Sequence, residues 1–169
     1  MEINKIVRYL TYSLELLVLF MLQQTPGLFP EIMSARPVLL YAAVINIAVF
    51  EKEIPAMGFG IYTGMLIDFG FGSGLGFHAI VLMPICLAVS VMTKTIMQVN
   101  LGTAILTGVW TVALLVLASW LYQYLLRGYD YPTYALLNHY LPKYIYTLIL
   151  FPLTFVINRS IAKLLRSPE

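Results

Sequence analysis

The sequence predicts an all-α, polytopic membrane protein, a single integral membrane domain over residues 1–169 with about six transmembrane helices. Three observations predict it. Hydrophobic residues make up 60% of the chain and charged residues only 11%. A soluble domain carries about 25% charged residues, so there is too little polar surface here to cover a water-soluble globule. Several apolar runs reach the length needed to cross a hydrocarbon core of about 30 Å. Finally, basic residues divide unevenly between alternate connections. With six spans and the first residue inside, Lys5, Arg8, Lys52, Lys94, Arg159, Lys163 and Arg166 fall on the cytoplasmic side, and Arg36, Arg127 and Lys143 outside. That asymmetry fits the positive-inside rule and places both termini in the cytoplasm.

The elements follow in order. A first span runs from about Ile3 to Gln23, with Arg8 and Glu15 seven apart on roughly one face and Tyr12 between them. Lys5 and Arg8 precede the apolar run as in a signal peptide. Glu15 interrupts that run, however, and no small-x-small cleavage site follows, so a retained helix is expected. Pro26, Gly27, Pro30 and Pro37 punctuate a loop. A short second span, Pro37 to about Phe50, contains Asn46, and Glu51, Lys52 and Glu53 form a charged turn. The third span runs from about Ile54 to Phe71 and the fourth from about Phe77 to Met92, with a kink expected at Pro84. The fifth, Leu101 to about Leu126, exceeds the bilayer core and should tilt or protrude. Trp120, Tyr122 and Tyr124 form an interfacial belt at its end. Arg127 to Lys143 reads as a polar connection with a short surface helix, and Tyr129, Tyr131, Tyr134 and Tyr140 suit the headgroup layer. The last span covers about Tyr144 to Ile157, followed by a basic, amphipathic tail.

Composition also narrows function. A formal charge of +2, with no arginine-rich face to neutralise phosphates, argues against nucleic acid as a partner. Cys86 is the single cysteine, so neither an internal disulfide nor a thiolate metal cluster can form. Catalysis needs a nucleophile, base or metal in a defined constellation. The sequence has no H-E-x-x-H, no paired carboxylates on one helix and no Gly-rich phosphate loop ending in Lys-Ser/Thr. No enzyme activity, cofactor or metal is expected.

The most informative stretch is GFGIYTGMLIDFGFGSGLGFHA, Gly58 to Ala79, which holds seven of the 11 glycines. Ala56, Gly60, Gly64 and Asp68 recur every four residues and form one helical stripe, flat enough for a second helix to approach closely. Gly70, Gly72, Gly74 and Gly76 then break the helix into a tight turn ahead of His78. Three roles stand open for Asp68: capping that turn by accepting backbone N–H groups, bonding another helix, or binding a partner or solute. Glu15, Asn46, Tyr131 and Tyr134 are candidates for a partner contact or a polar cavity, with helix–helix hydrogen bonding or interfacial anchoring as the plainer readings.

The pattern G-x-x-x-G-x-x-x-D followed by FGFGSGLGFHA resembles the signature of the MreD family, the rod shape-determining membrane proteins of bacteria, and the hydrophobic segments fit that family along nearly the whole chain. That family is in turn similar to the S-components of energy-coupling-factor (ECF) transporters, which implies an S-component-like bundle in the cytoplasmic (inner) membrane. The resemblance implies a non-catalytic subunit of the cell-elongation machinery that binds MreC and helps regulate lateral peptidoglycan synthesis. MreB, RodA and the elongation transpeptidase are the implied further partners, with the bilayer around them. The alternative is a solute-binding subunit of an ECF-type vitamin transporter, which the same topology would serve.

Overall fold

A computed structural model describes residues 2–25, 27–28, 36–71, 76–95, 99–126 and 132–165. All regular structure among them is helical: α1 (Glu2–Gln24), α2 (Leu39–Phe50), α3 (Glu53–Phe71), α4 (Phe77–Thr95), α5 (Leu101–Trp120), α6 (Pro132–Ala135) and α7 (Leu141–Leu165). Two π-helical stretches, Leu121–Leu126 and Leu136–Tyr140, extend α5 and join α6 to α7.

Four helical stretches are long and apolar enough to cross a membrane: Asn4–Gln24, Phe77–Thr95, Leu101–Tyr124 and Thr133–Leu165. The chain is therefore a multi-pass membrane protein. The remaining two predicted spans differ in length. α2 has 12 residues, about 18 Å of helix. α3 has 19 residues, with Glu53 in its first turn and Asp68 near its end, and is not among the four.

The short α2 is the centre of the bundle. It packs against α1, α3, α4, α5 and α7, and every residue from Leu39 to Val49 is buried. A helix apolar on all sides belongs inside other helices, and α2 carries no polar face to give up. Its buried start is satisfied from outside: Thr147 of α7 accepts the Val38 N–H at 3.1 Å, and the preceding Pro37 has no N–H to satisfy. At its other end Ser90 of α4 donates to the Glu51 carbonyl at 2.7 Å.

Two expectations change here. The sequence places Glu51 in a charged turn, but its side chain is 2% exposed and sits against Arg8 of α1, with Nε 2.7 Å from Oε1. Burial at the end of α2 removes Glu51 from water, and an arginine from the neighbouring helix compensates. Second, the expected break between a surface helix and a last span at Tyr144 is absent, since helix runs from Pro132 through Leu165. Pro142 would clash with the carbonyl one turn back in a regular helix. The wider π-helical turn at Leu136–Tyr140 lies immediately before it and changes that spacing. Helix also continues through Pro84 in α4.

Consecutive long helices run up and down. Arg8, Glu51, Glu53, Lys94, Arg159 and Lys163 collect at one end through the Arg8–Glu51 and Glu53–Lys94 pairs and a shared cavity. Asp68, His78, Ser119 and Tyr41 collect at the other. The start of α1 and the end of α7 therefore share one end of the bundle.

Candidate functional site

The site is built on the α3–α4 hairpin. Gly60 and Gly64 face α4 and lie against its backbone, with Cys86 Sγ also close to Gly60. A Cβ on Gly60 would lie 3.0 Å from the Leu82 carbonyl oxygen, and one on Gly64 would lie 2.6 Å from the His78 carbonyl carbon and closer still to Ala79. Ala56, the first member of the stripe, is fully buried. This close approach carries Asp68, one turn past Gly64, to the start of α4.

There the Asp68 carboxylate caps α4. Oδ2 accepts the Gly76 N–H at 2.9 Å, and both oxygens meet the His78 N–H, at 3.2 and 3.3 Å. A helix start leaves N–H groups without partners and carries partial positive charge, so an anion is favoured on both counts. Gly76 stands at φ +95°, a conformation that favours glycine, and turns the chain into α4. Gly70 lies against Phe20 and Gln24 of α1. Gly72, Gly74 and Tyr131 lie outside the described residues.

The network continues through side chains. His78 Nδ1 is 2.6 Å from Asp68 Oδ1, and its Nε2 is 3.2 Å from Ser119 Oγ of α5. Tyr41 of α2 reaches the same Oγ at 3.3 Å. Ser119 itself donates to the Leu115 carbonyl at 2.8 Å. A serine hydroxyl has one hydrogen and two lone pairs. With its hydrogen on Leu115, Ser119 accepts from both Tyr41 and His78, so Nε2 carries a proton. The short Nδ1–Oδ1 contact then needs a proton of its own. The Asp–His–Ser order is that of a catalytic triad, but the serine proton points away from the histidine, opposite to what a nucleophile requires. What the arrangement does is tie α2, α3, α4 and α5 together at one end. Phe77 stacks on Tyr122 beside it, with ring centroids 4.1 Å apart.

The other candidate residues lie elsewhere. Asn46 donates to Thr154 Oγ1 of α7 at 2.9 Å, in the middle of the bundle. Glu15 accepts from Asn158 Nδ2 at 3.0 Å, joining α1 to α7. Tyr134 is exposed on α6. Sequence reasoning missed Ser119, Tyr41, Thr154, Asn158 and Glu51 as partners. Ser119 lies eleven residues after Gly108 on the buried face of α5, and nothing in its local pattern sets it apart.

A family model described as "rod shape-determining protein MreD" matches residues 3–166, nearly the whole chain. The chain belongs to the MreD family. Its role is therefore a membrane one in determining rod shape, and as a member of this family it is not an enzyme. No curated protein matches the chain, and no solved structure does.

Proposed function

We propose that this MreD-family chain is a binding subunit of the cell-elongation machinery, one that engages MreC and through it MreB, RodA and the elongation transpeptidase, and so helps regulate lateral peptidoglycan synthesis. The observation that carries the reading is the family match over residues 3–166. In this reading α2 and α3 complete six passes in an S-component-like bundle, and both termini lie in the cytoplasm. The gathering of Arg8, Lys94, Arg159 and Lys163 at one end supports that orientation through the positive-inside rule.

The test is co-purification of the full chain with MreC from detergent-solubilised membranes, with mass spectrometry for a bound vitamin-sized ligand on the same sample. MreC capture by a ligand-free chain is the expected result. A retained solute without MreC would overturn it in favour of a transporter subunit. For orientation, single cysteines at each terminus in a Cys86→Ser background should both be shielded from an impermeant reagent in intact cells. Labelling of one end alone would exclude the six-pass plan.

A further inference from the structure

A cavity of about 290 Å³ opens at the basic end of the bundle, where α2, α4 and α7 meet the start of α5. Lys94, Arg159 and Lys163 line it, together with apolar Val49, Phe50 and Val99, and among the described residues no carboxylate does. Arg159 and Lys163 are four apart on α7, hence on one face. Like charges at that spacing destabilise a helix unless an anion sits between them. Neither has an acidic partner among the described residues. Lys94 differs, because its Nζ donates to Glu53 at 2.8 Å, and that bond holds the exposed Glu53 carboxyl below its usual range. Among the described residues, two positive charges thus stand without an acidic partner over an apolar wall, at the end of two membrane-length helices.

We propose that this cavity binds the phosphate of an anionic phospholipid headgroup. The guanidinium of Arg159 presents a fork of donors suited to phosphate oxygens, and Lys163 adds a point charge one turn on. Phe50 and Val99 provide the apolar side along which the glycerol and first acyl carbons run. A free phosphate would use the two cations but gain nothing from that wall, and basic pockets between membrane helices are an established setting for anionic headgroups.

The experiment uses the purified full chain, titrated with dioleoyl-phosphatidylglycerol or dioleoyl-phosphatidylcholine and read by native mass spectrometry. Preference for phosphatidylglycerol is expected. Arg159→Gln with Lys163→Gln should weaken it about thirty-fold, from about fivefold per basic residue near an anionic surface. Lys5→Gln with Lys52→Gln removes the same charge from the same end outside the cavity and should change binding less than threefold. Glu53→Gln, which releases Lys94, should strengthen it, and this variant tests the idea even if the double variant fails to fold. Equal loss in both double variants, or equal binding of the two lipids, would overturn the site as diffuse attraction. Binding of inorganic phosphate as tightly as phosphatidylglycerol would overturn the lipid assignment. Loss of MreC capture with lipid binding intact in the Arg159/Lys163 variant would assign the cavity to a protein partner instead.

Discussion

Gly64 tests whether the α3–α4 contact organises the molecule. A Cβ there would stand 2.6 Å from the His78 carbonyl carbon and nearer still to the Ala79 backbone. Carbon atoms pack at about 3.5–4.0 Å, so Gly64→Ala forces the two helices apart by about 1 Å or more. No side chain can turn aside, because the obstructing atoms are main chain. Overpacking costs about 1–3 kcal/mol, and backbone against backbone belongs at the top of that range. Alanine's better helix propensity returns about 1 kcal/mol, leaving a net loss of about 2 kcal/mol. Gly58 on the same helix has nothing within 4 Å of its would-be Cβ, so Gly58→Ala keeps only the gain of about 1 kcal/mol. At about 2–4 °C per kcal/mol for a chain of this size, Gly64→Ala should melt about 4–8 °C lower and Gly58→Ala about 2–4 °C higher. Thermal unfolding in detergent, followed by fluorescence-detected size exclusion, measures both. The reasoning fails if the two variants shift in the same direction.

Other perturbations follow from single contacts. Asp68→Asn replaces an anionic cap with a neutral amide and should cost about 1.5–3 kcal/mol, seen as a lower melting temperature with the helical circular dichroism unchanged. Arg8→Met removes the cation beside the buried Glu51 carboxylate and should cost about 3 kcal/mol or more, while Arg8→Met with Glu51→Met should cost less than the single change. Thr147→Val takes the acceptor from the Val38 N–H, which lies in a residue only 1% exposed, and should cost about 1–3 kcal/mol; an unchanged melting temperature would show that α2 needs no such help to start.

The helical character and most helix positions were legible because apolar run length and the glycine and proline punctuation are local signals. The central place of α2 was not. A short apolar run reads the same whether it thins the bilayer or hides inside other helices, and only the contacts of Leu39 to Val49 with five neighbours decide it. Likewise the segment around Tyr134 and Tyr140 reads as a polar connection with a short surface helix, and nothing in its local pattern marks the π-helical turn at Leu136–Tyr140 that joins it to α7 without a break. In the site, Asp68, the glycines and His78 were legible because they are close in sequence. Ser119 lies 41 residues beyond His78, and Tyr41 and Ser119 meet across 78 residues, and no spacing pattern carries such a contact. Glu15 and Asn158, 143 apart, are the extreme case.

The proton count at Ser119 has a measurable consequence. If Ser119 gives its hydrogen to Leu115 and accepts from His78 and Tyr41, its two partners are not equivalent to lose. Ser119→Ala removes the acceptor that His78 Nε2 meets at 3.2 Å, in a residue 6% exposed. It strips a buried donor of its partner, at about 1–3 kcal/mol. Tyr41→Phe removes only a donor, leaving Ser119 with its bonds to Leu115 and His78, and should cost about 1 kcal/mol. The opposite arrangement, with Ser119 donating to His78, makes Nε2 an acceptor that Ser119→Ala would also leave unpaired, so the protonation of Nε2 is what separates the two arrangements. The decisive readout is the ¹⁵N chemical shift of the His78 ring in labelled, detergent-solubilised protein, together with the two melting temperatures. A protonated Nε2 with Ser119→Ala the more damaging change supports a wholly structural clamp on α4 and α5. An unprotonated Nε2 would restore the catalytic polarity to the Asp68–His78–Ser119 order and refute the count.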